Sequence, residues 1–199
     1  MDTEKRNMPR FSAQRLRELV RASCGGDMSA FETLFASAEE ALYRMGLSIT
    51  GSEDDAEEAL AETALSVLDG IASLRQPEYF YTWATRIMIN ACYALSRDRS
   101  KVVALADVEA AGHGSADYPG DSRWAQDEDL LAALSSLGTE HRTVVVLRYL
   151  EDMPVSQVAE ITGVPEGTVK SRLHYALQKL RVRMDDARPR TQTGGAARE

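Results

Sequence analysis

The sequence predicts an all-α protein, two small helical domains joined by a flexible linker, and three observations predict it. Apolar residues recur at three- and four-residue steps through two long blocks, and β-branched runs are nearly absent. Gly and Pro punctuate those blocks at their turns. The longest β-branched run, Thr143 to Val146, sits inside a helical pattern that continues through Leu147 and Leu150. The expected organisation is a disordered tail at 1–11, a helical domain at 12–103, a linker at 104–127, a second helical domain at 128–186 and a disordered tail at 187–199. The linker contains AAGHGSADYPGDS, rich in Gly, Ser, Asp and small residues and without periodicity.

In the first block, Ala56, Ala59, Leu60, Thr63, Ala64, Val67, Leu68 and Ile71 form the buried stripe of one helix. Its charged positions are all acidic. Between Gly51 and Gly70 stand Glu53, Asp54, Asp55, Glu57, Glu58, Glu62 and Asp69, with no Lys or Arg. A carboxylate run of this kind is either a solvated face or a surface for a partner protein, and the lack of any cation to pair with it favours the partner. The next helix follows Pro77 and buries Phe80, Ala84, Ile87, Met88, Ala91 and Leu95 by periodicity. Trp83, flanked by those positions, reads as a packing residue. Arg86, Asn90, Tyr93 and Arg97 fall at i, i+4, i+7 and i+11, one face that combines cationic, hydrogen-bonding and stacking groups. Such a face suits single-stranded nucleic acid and also occurs on plain helix surfaces.

The second block closes on VSQVAEITGVPEGTVKSRLHYALQKLR, which reads as two helices joined by a tight turn. Val155, Val158, Ala159 and Ile161 hold helical spacing, Gly163 breaks it where a positive φ is tolerated, and Val169, Leu173, Ala176, Leu177 and Leu180 resume it. Pro165 suits a first helical turn. The outer face of the second helix carries Gly167, Thr168, Lys170, Ser171, Arg172, His174 and Tyr175, the residue types that reach phosphates and base edges from a recognition helix in a major groove. A solvated amphipathic hairpin is the plainer alternative, and the Gly-Val-Pro turn with the GTVKSR start argues against it.

The whole chain of 199 residues carries a formal charge of −8 and a pI near 5.0, unusual for a protein that grips DNA alone. Weak DNA binding until the acidic surface meets a protein partner is the expectation. Cys24 and Cys92 match no metal spacing, and His113, His141 and His174 are scattered, so no metal or cofactor is expected. No Ser-His-Asp, Cys-His or phosphate-loop arrangement points to an enzyme. No signal peptide or membrane-length apolar run is visible, so a cytoplasmic protein without membrane insertion is expected.

The chain resembles the extracytoplasmic-function (group 4) sigma factors of the sigma-70 family. The resemblance is carried by GDMSAFETLF, DDAEEALAET and FYTWATRIMINACY in the first block, and by LSSLGTEHRTVVVLRYLEDMPVSQVAEITGVPEGTVKSRLHYALQKLR in the second. It implies that the acidic helix, through Asp55, Glu58 and Glu62, binds the clamp of core RNA polymerase, and that the second domain docks on the flap. It implies a melted minus-ten strand captured by Arg86, Asn90, Tyr93 and Arg97, with Tyr81 on the same helix and the loop from Leu74 to Tyr79 shaping a pocket for a flipped base. The minus-thirty-five duplex would be read from the helix-turn-helix by Pro165, Gly167, Thr168, Lys170, Ser171, Arg172, His174 and Tyr175, with the linker threading the polymerase and an anti-sigma factor as a further partner. The chain departs from the family pattern at Ala61, Ala64, Leu74, Tyr175 and Leu177, so promoter sequence does not carry over. The competing function is a dimeric helix-turn-helix regulator with a sensor or dimerisation domain, which would bind palindromic DNA without polymerase.

Overall fold

The computed structural model describes residues 11–105 and 133–187, and among them the fold is helical throughout. Helix α1 (Ala13–Cys24) starts where the Ser12 hydroxyl accepts from the Arg15 N–H at 3.2 Å, and it buries Leu16, Leu19 and Val20. Asp27 caps α2 (Met28–Thr50) in the same way, its carboxylate accepting from the Ala30 N–H at 3.1 Å. Phe31, Leu34, Phe35, Ala38, Leu42, Met45 and Ile49 follow helical spacing and are buried, so α2 is the spine of the N-terminal group. It ends at Gly51, whose φ of 72° lies in the left-handed region.

Ser52 caps α3 (Glu53–Gly70), and Glu53, Asp54 and Asp55 occupy its first turn, where the helix dipole favours negative charge. Its buried residues, Asp55, Ala56, Ala59, Thr63 and Val67, are mostly small, which lets α2 and α3 lie close together. Two 3₁₀ turns, Ile71–Ser73 and Pro77–Tyr79, lead into α4 (Phe80–Leu105). That helix runs slightly beyond the expected boundary at 103. Trp83 packs across the end of α3, so close that a Cβ on Gly70 would lie 3.1 Å from its ring.

In the C-terminal group, α5 (Thr139–Val145) passes into a π-helical turn, Val146–Leu150, followed by α6 (Val155–Thr162) and α7 (Glu166–Ala187). The wider turn lets the Glu151 N–H reach the Val146 carbonyl at 3.0 Å. Every residue from Arg142 to Leu147 is buried, since α5 packs against α7 on one side and against α2 and α4 on another. A run of buried β-branched residues is thus a helix enclosed all round, not a strand.

The two groups share one apolar cluster. Their join is fixed by Arg142, only 8% exposed, which donates from Nη1 to the Ile49 carbonyl at 2.8 Å and from Nη2 to the Ser135 and Leu137 carbonyls at 2.9 and 3.1 Å. Ile49 lies in the last turn of α2, where carbonyls lack helical partners and the dipole is negative. Gly51 serves this contact too, because a Cβ there would lie 3.0 Å from Nη1. Ser96 and Thr139 add a hydroxyl pair at 2.7 Å, and Gln157 on α6 reaches Thr82 on α4 at 3.5 Å. The expected tail at 1–10, the linker from 106 to 127, the second domain's first residues and the tail from 188 lie outside the described residues.

Candidate nucleic-acid interface

The turn between α6 and α7 forms as its sequence requires. Gly163 adopts a φ of 69°, its N–H bonding back to the Ala159 carbonyl at 2.9 Å. Pro165 stands one residue ahead of α7, and its carbonyl accepts from the Thr168 and Val169 N–H groups. Val169, Leu173, Ala176 and Leu180 are buried against α5 and α6, whereas Leu177 is exposed rather than in the core. The opposite face of α7 presents Gly167, Lys170, Ser171, His174 and Tyr175 to solvent, with Thr168 half-buried. Lys170 pairs with Glu166 at 3.5 Å, one helical turn away, and the Tyr175 ring tilts over His141 with centroids 4.8 Å apart. Arg172 departs from the expected exposed position. Its side chain is 19% exposed and turns back to an ion pair with Glu140 on α5.

On α4, Arg86, Asn90 and Arg97 are exposed and Tyr93 is half-buried. Asn90, Tyr93 and Arg97 line a cleft of about 300 Å³ together with Ser96, Thr139 and Glu140. Arg86 is not among its lining residues. Burial pushes the Tyr93 phenol above its usual range, while the Thr143 side chain and the Arg172 guanidinium pull it down. Across the cleft Tyr93 faces the start of α5 at Thr139 and Glu140. Leu74 is half-buried against the core, and Tyr79 is 53% exposed at the mouth of α4.

Two expected site residues are corrected. Tyr81 is 7% exposed, its ring edge-on to Phe80 and its hydroxyl 3.1 Å from the Ser37 hydroxyl, so it braces α4 on α2 and is withdrawn from any base. Asp55 is 7% exposed, whereas Glu58 and Glu62 face outward. It sits one residue before the fully buried Ala56, on the inner edge of α3, and so leaves the acidic outer face to the glutamates.

The sequence reading missed Ser96, although it stands three residues past Tyr93 and the same helical spacing reveals it. It also missed Thr139, Glu140 and Thr143, which the fold brings to α4 from more than forty residues away and which no local pattern signals. Among the described residues, no group of three or more His, Cys, Asp or Glu side chains is placed to hold a metal ion, and no helix is long and apolar enough to cross a membrane.

A helix-turn-helix with a polar outer face, beside a helix carrying an amide and cations on one side, is an arrangement suited to binding nucleic acid. The comparisons sharpen this. Residues 34–102 match the family model for sigma-70 region 2, and residues 133–182 match that for sigma-70 region 4. The ECF RNA polymerase sigma factor SigM of Mycobacterium tuberculosis (strain H37Rv) is 34% identical over 166 residues, covering 82% of this chain and 81% of its own. The RNA polymerase sigma factor SigV of Bacillus subtilis is 29% identical over 154 residues, covering 76% of this chain and 89% of its own. The fold matches the sigma factor RpoE of Bartonella quintana, solved with the anti-sigma factor NepR, at a TM-score of 0.62 and 23% identity over 79% of this chain and 98% of that one. It also matches CnrH, solved with the cytosolic domain of CnrY, at a TM-score of 0.63 and 22% identity over 89% of this chain and 100% of that one. The chain belongs to the sigma-70 family, among its extracytoplasmic-function members. Its function is that of a sigma factor in transcription initiation, and its partners are core RNA polymerase and promoter DNA.

Proposed function

We propose that this sigma factor divides promoter recognition between two helix faces, and that it belongs to the group 4 subdivision. On α7, Lys170, Ser171, His174 and Tyr175, with Gly167 and Thr168 at the helix start, read the minus-thirty-five duplex from the major groove. Arg172 joins them once released from Glu140. The observation that carries this is the helix-turn-helix itself, in which Val169, Leu173, Ala176 and Leu180 turn inward and the polar face lies open. On α4, Asn90, Tyr93 and Arg97 take the melted minus-ten strand, with Arg86, Leu74 and Tyr79 at its upstream edge. An amide with both donor and acceptor capacity, a phenol and a cation can hydrogen-bond, stack and neutralise one strand.

Glu58 and Glu62 form the polymerase-facing surface of α3, with the clamp as its target and the flap as that of the C-terminal region. Residues 104–127 connect the two regions inside the enzyme. The factor works in the cytoplasm and supplies no catalytic group, since opening the duplex needs binding energy for the unstacked bases, a few kcal/mol per base, and no covalent chemistry. An anti-sigma protein is a further partner, a reading supported by the NepR complex of the fold's neighbour RpoE. Lys170→Ala tests the division. Reconstituted holoenzyme carrying it should bind minus-thirty-five duplex more weakly, by about 1 to 3 kcal/mol at one base pair if the contact is to a base edge, and alike on all sequences if it is to phosphate. Undiminished binding on every duplex removes α7 from its role.

A further inference from the structure

We propose that the cleft between α4 and α5 is a binding site for a free adenine nucleoside monophosphate. The site goes beyond promoter reading, although it shares Asn90, Tyr93 and Arg97 with the strand-reading face proposed above. Ser96, Thr139 and Glu140 complete its lining. Its volume of about 300 Å³ lies at the small end of the range for ligand sites, room for a nucleoside with one phosphate rather than a longer polyphosphate. Asn90 and Arg97 are exposed, and among the described residues neither the amide nor the guanidinium has a hydrogen-bond or ionic partner. Both are open to a ligand.

The spacing of these groups selects the ligand class. Asn90 and Arg97 stand two helical turns apart on α4, about 10 Å along its axis, close to the reach of a nucleotide from the outer edge of its base to its 5′-phosphate. A side-chain amide pairs with adenine, accepting from N6 and donating to N7. Tyr93 lies between the two along the helix, half-buried, and offers its ring to the base. Arg97 takes the phosphate in a charge-assisted contact. The Ser96 and Thr139 hydroxyls, 2.7 Å apart, share one proton between them, and their remaining lone pairs accept from a ribose hydroxyl. Glu140 would repel a phosphate, but Arg172 binds its carboxylate and offsets the charge. Arg97 is then the one cation of the lining, which suits one phosphate.

Calorimetric titration of the free, full-length factor with adenosine monophosphate tests the site. Binding should saturate at one equivalent with a Kd at or below about 1 mM. Asn90→Ala and Arg97→Ala should each weaken it at least about tenfold, as the loss of a bidentate or charged contact does. On the parent protein, uridine monophosphate should match the Asn90→Ala loss, and adenosine the Arg97→Ala loss. Thr139→Val, which leaves α4 untouched, should weaken adenosine monophosphate severalfold. Retention of a fork DNA, duplex at minus-thirty-five and single-stranded at minus-ten, by holoenzyme carrying Thr139→Val should stay at the parent's level. Should Thr139→Val fail to fold, Ser96→Ala removes the other hydroxyl and is read in the same way. No saturable binding in that range, equal competition by inorganic phosphate, or a Kd that none of these variants moves overturns the site and leaves the reading role of α4 standing. Undiminished fork retention by holoenzyme carrying Asn90→Ala or Arg97→Ala, with the nucleotide lost from both variants, overturns the reading role and supports the site.

Discussion

Arg172 shows how far a single residue can depart from its helical address. Spacing puts it on the outer face of α7, yet its long stem lets the guanidinium fold back to Glu140, while Lys170, Ser171, His174 and Tyr175 stay exposed. A pair with one partner 59% exposed is weak, about 0.2 to 1 kcal/mol. Glu140→Gln should therefore release Arg172 and raise holoenzyme affinity for minus-thirty-five duplex by about that amount. A loss of affinity in filter binding would show instead that Glu140 orients Arg172 for DNA. The two cysteines make the opposite contrast. Cys24 is exposed, while burial raises the Cys92 thiol from 9.0 to about 12. In native protein one thiol should react with Ellman's reagent and the second only after unfolding. A thiol held protonated in the fold stabilises it fully below 9, and this contribution is lost as pH rises toward 12. Two thiols reacting at one rate would contradict the burial. Neither the back-folded arginine nor the depth of Cys92 was written in local sequence, because both depend on neighbours distant along the chain.

At the scale of elements, the sequence was legible wherever a helix has one wet face. The stripe of α3, the Gly163 turn and the buried side of α7 all follow from period and punctuation, and Leu177 alone strays outward there. Legibility failed on α4, which is covered from two sides. Phe80, Ala84, Met88 and Ala91 are buried as periodicity requires, but Tyr81, Thr85, Ile89 and Cys92 are buried too, and Ile87 and Leu95 only partly. A single-stripe reading underestimates a helix packed on α2 and α3 behind and on α5 and α6 in front. The same limit hid the π-turn after Val145, whose apolar pattern gives no local sign of its wider bonding. On α3 the outward residues are Glu58 and Glu62, and reversing both to Lys should move stability by no more than about 0.5 kcal/mol, as surface changes usually do. Capture of core polymerase should drop severalfold in the same protein. Undiminished capture by a pull-down would return the carboxylates to the role of a solubilising face.

Over the whole molecule, the balance of −8 and the local basic face of α7 divide the labour. A net-negative chain is repelled by DNA at long range, so duplex binding by the free factor is expected to be weak, and the acidic side is left as the surface proposed for polymerase. The all-helical class and the order of acidic helix, long α4 and helix-turn-helix were readable in advance. The packing of one block on the other was not, since it rests on Arg142 meeting a backbone carbonyl 93 residues away, and a main-chain acceptor has no sequence signature. The central claim is that α4 and α7 read different promoter elements in different strand states. The measurement that tests it most directly is the base-preference profile of start sites selected from a random template pool by core polymerase with the parent, Asn90→Ala or Lys170→Ala factor. The account predicts that Asn90→Ala relaxes preference at one minus-ten position and leaves minus-thirty-five intact, and that Lys170→Ala leaves minus-ten intact. Profiles in which either variant matches the parent at both elements, or in which both variants blur the same element, would contradict it.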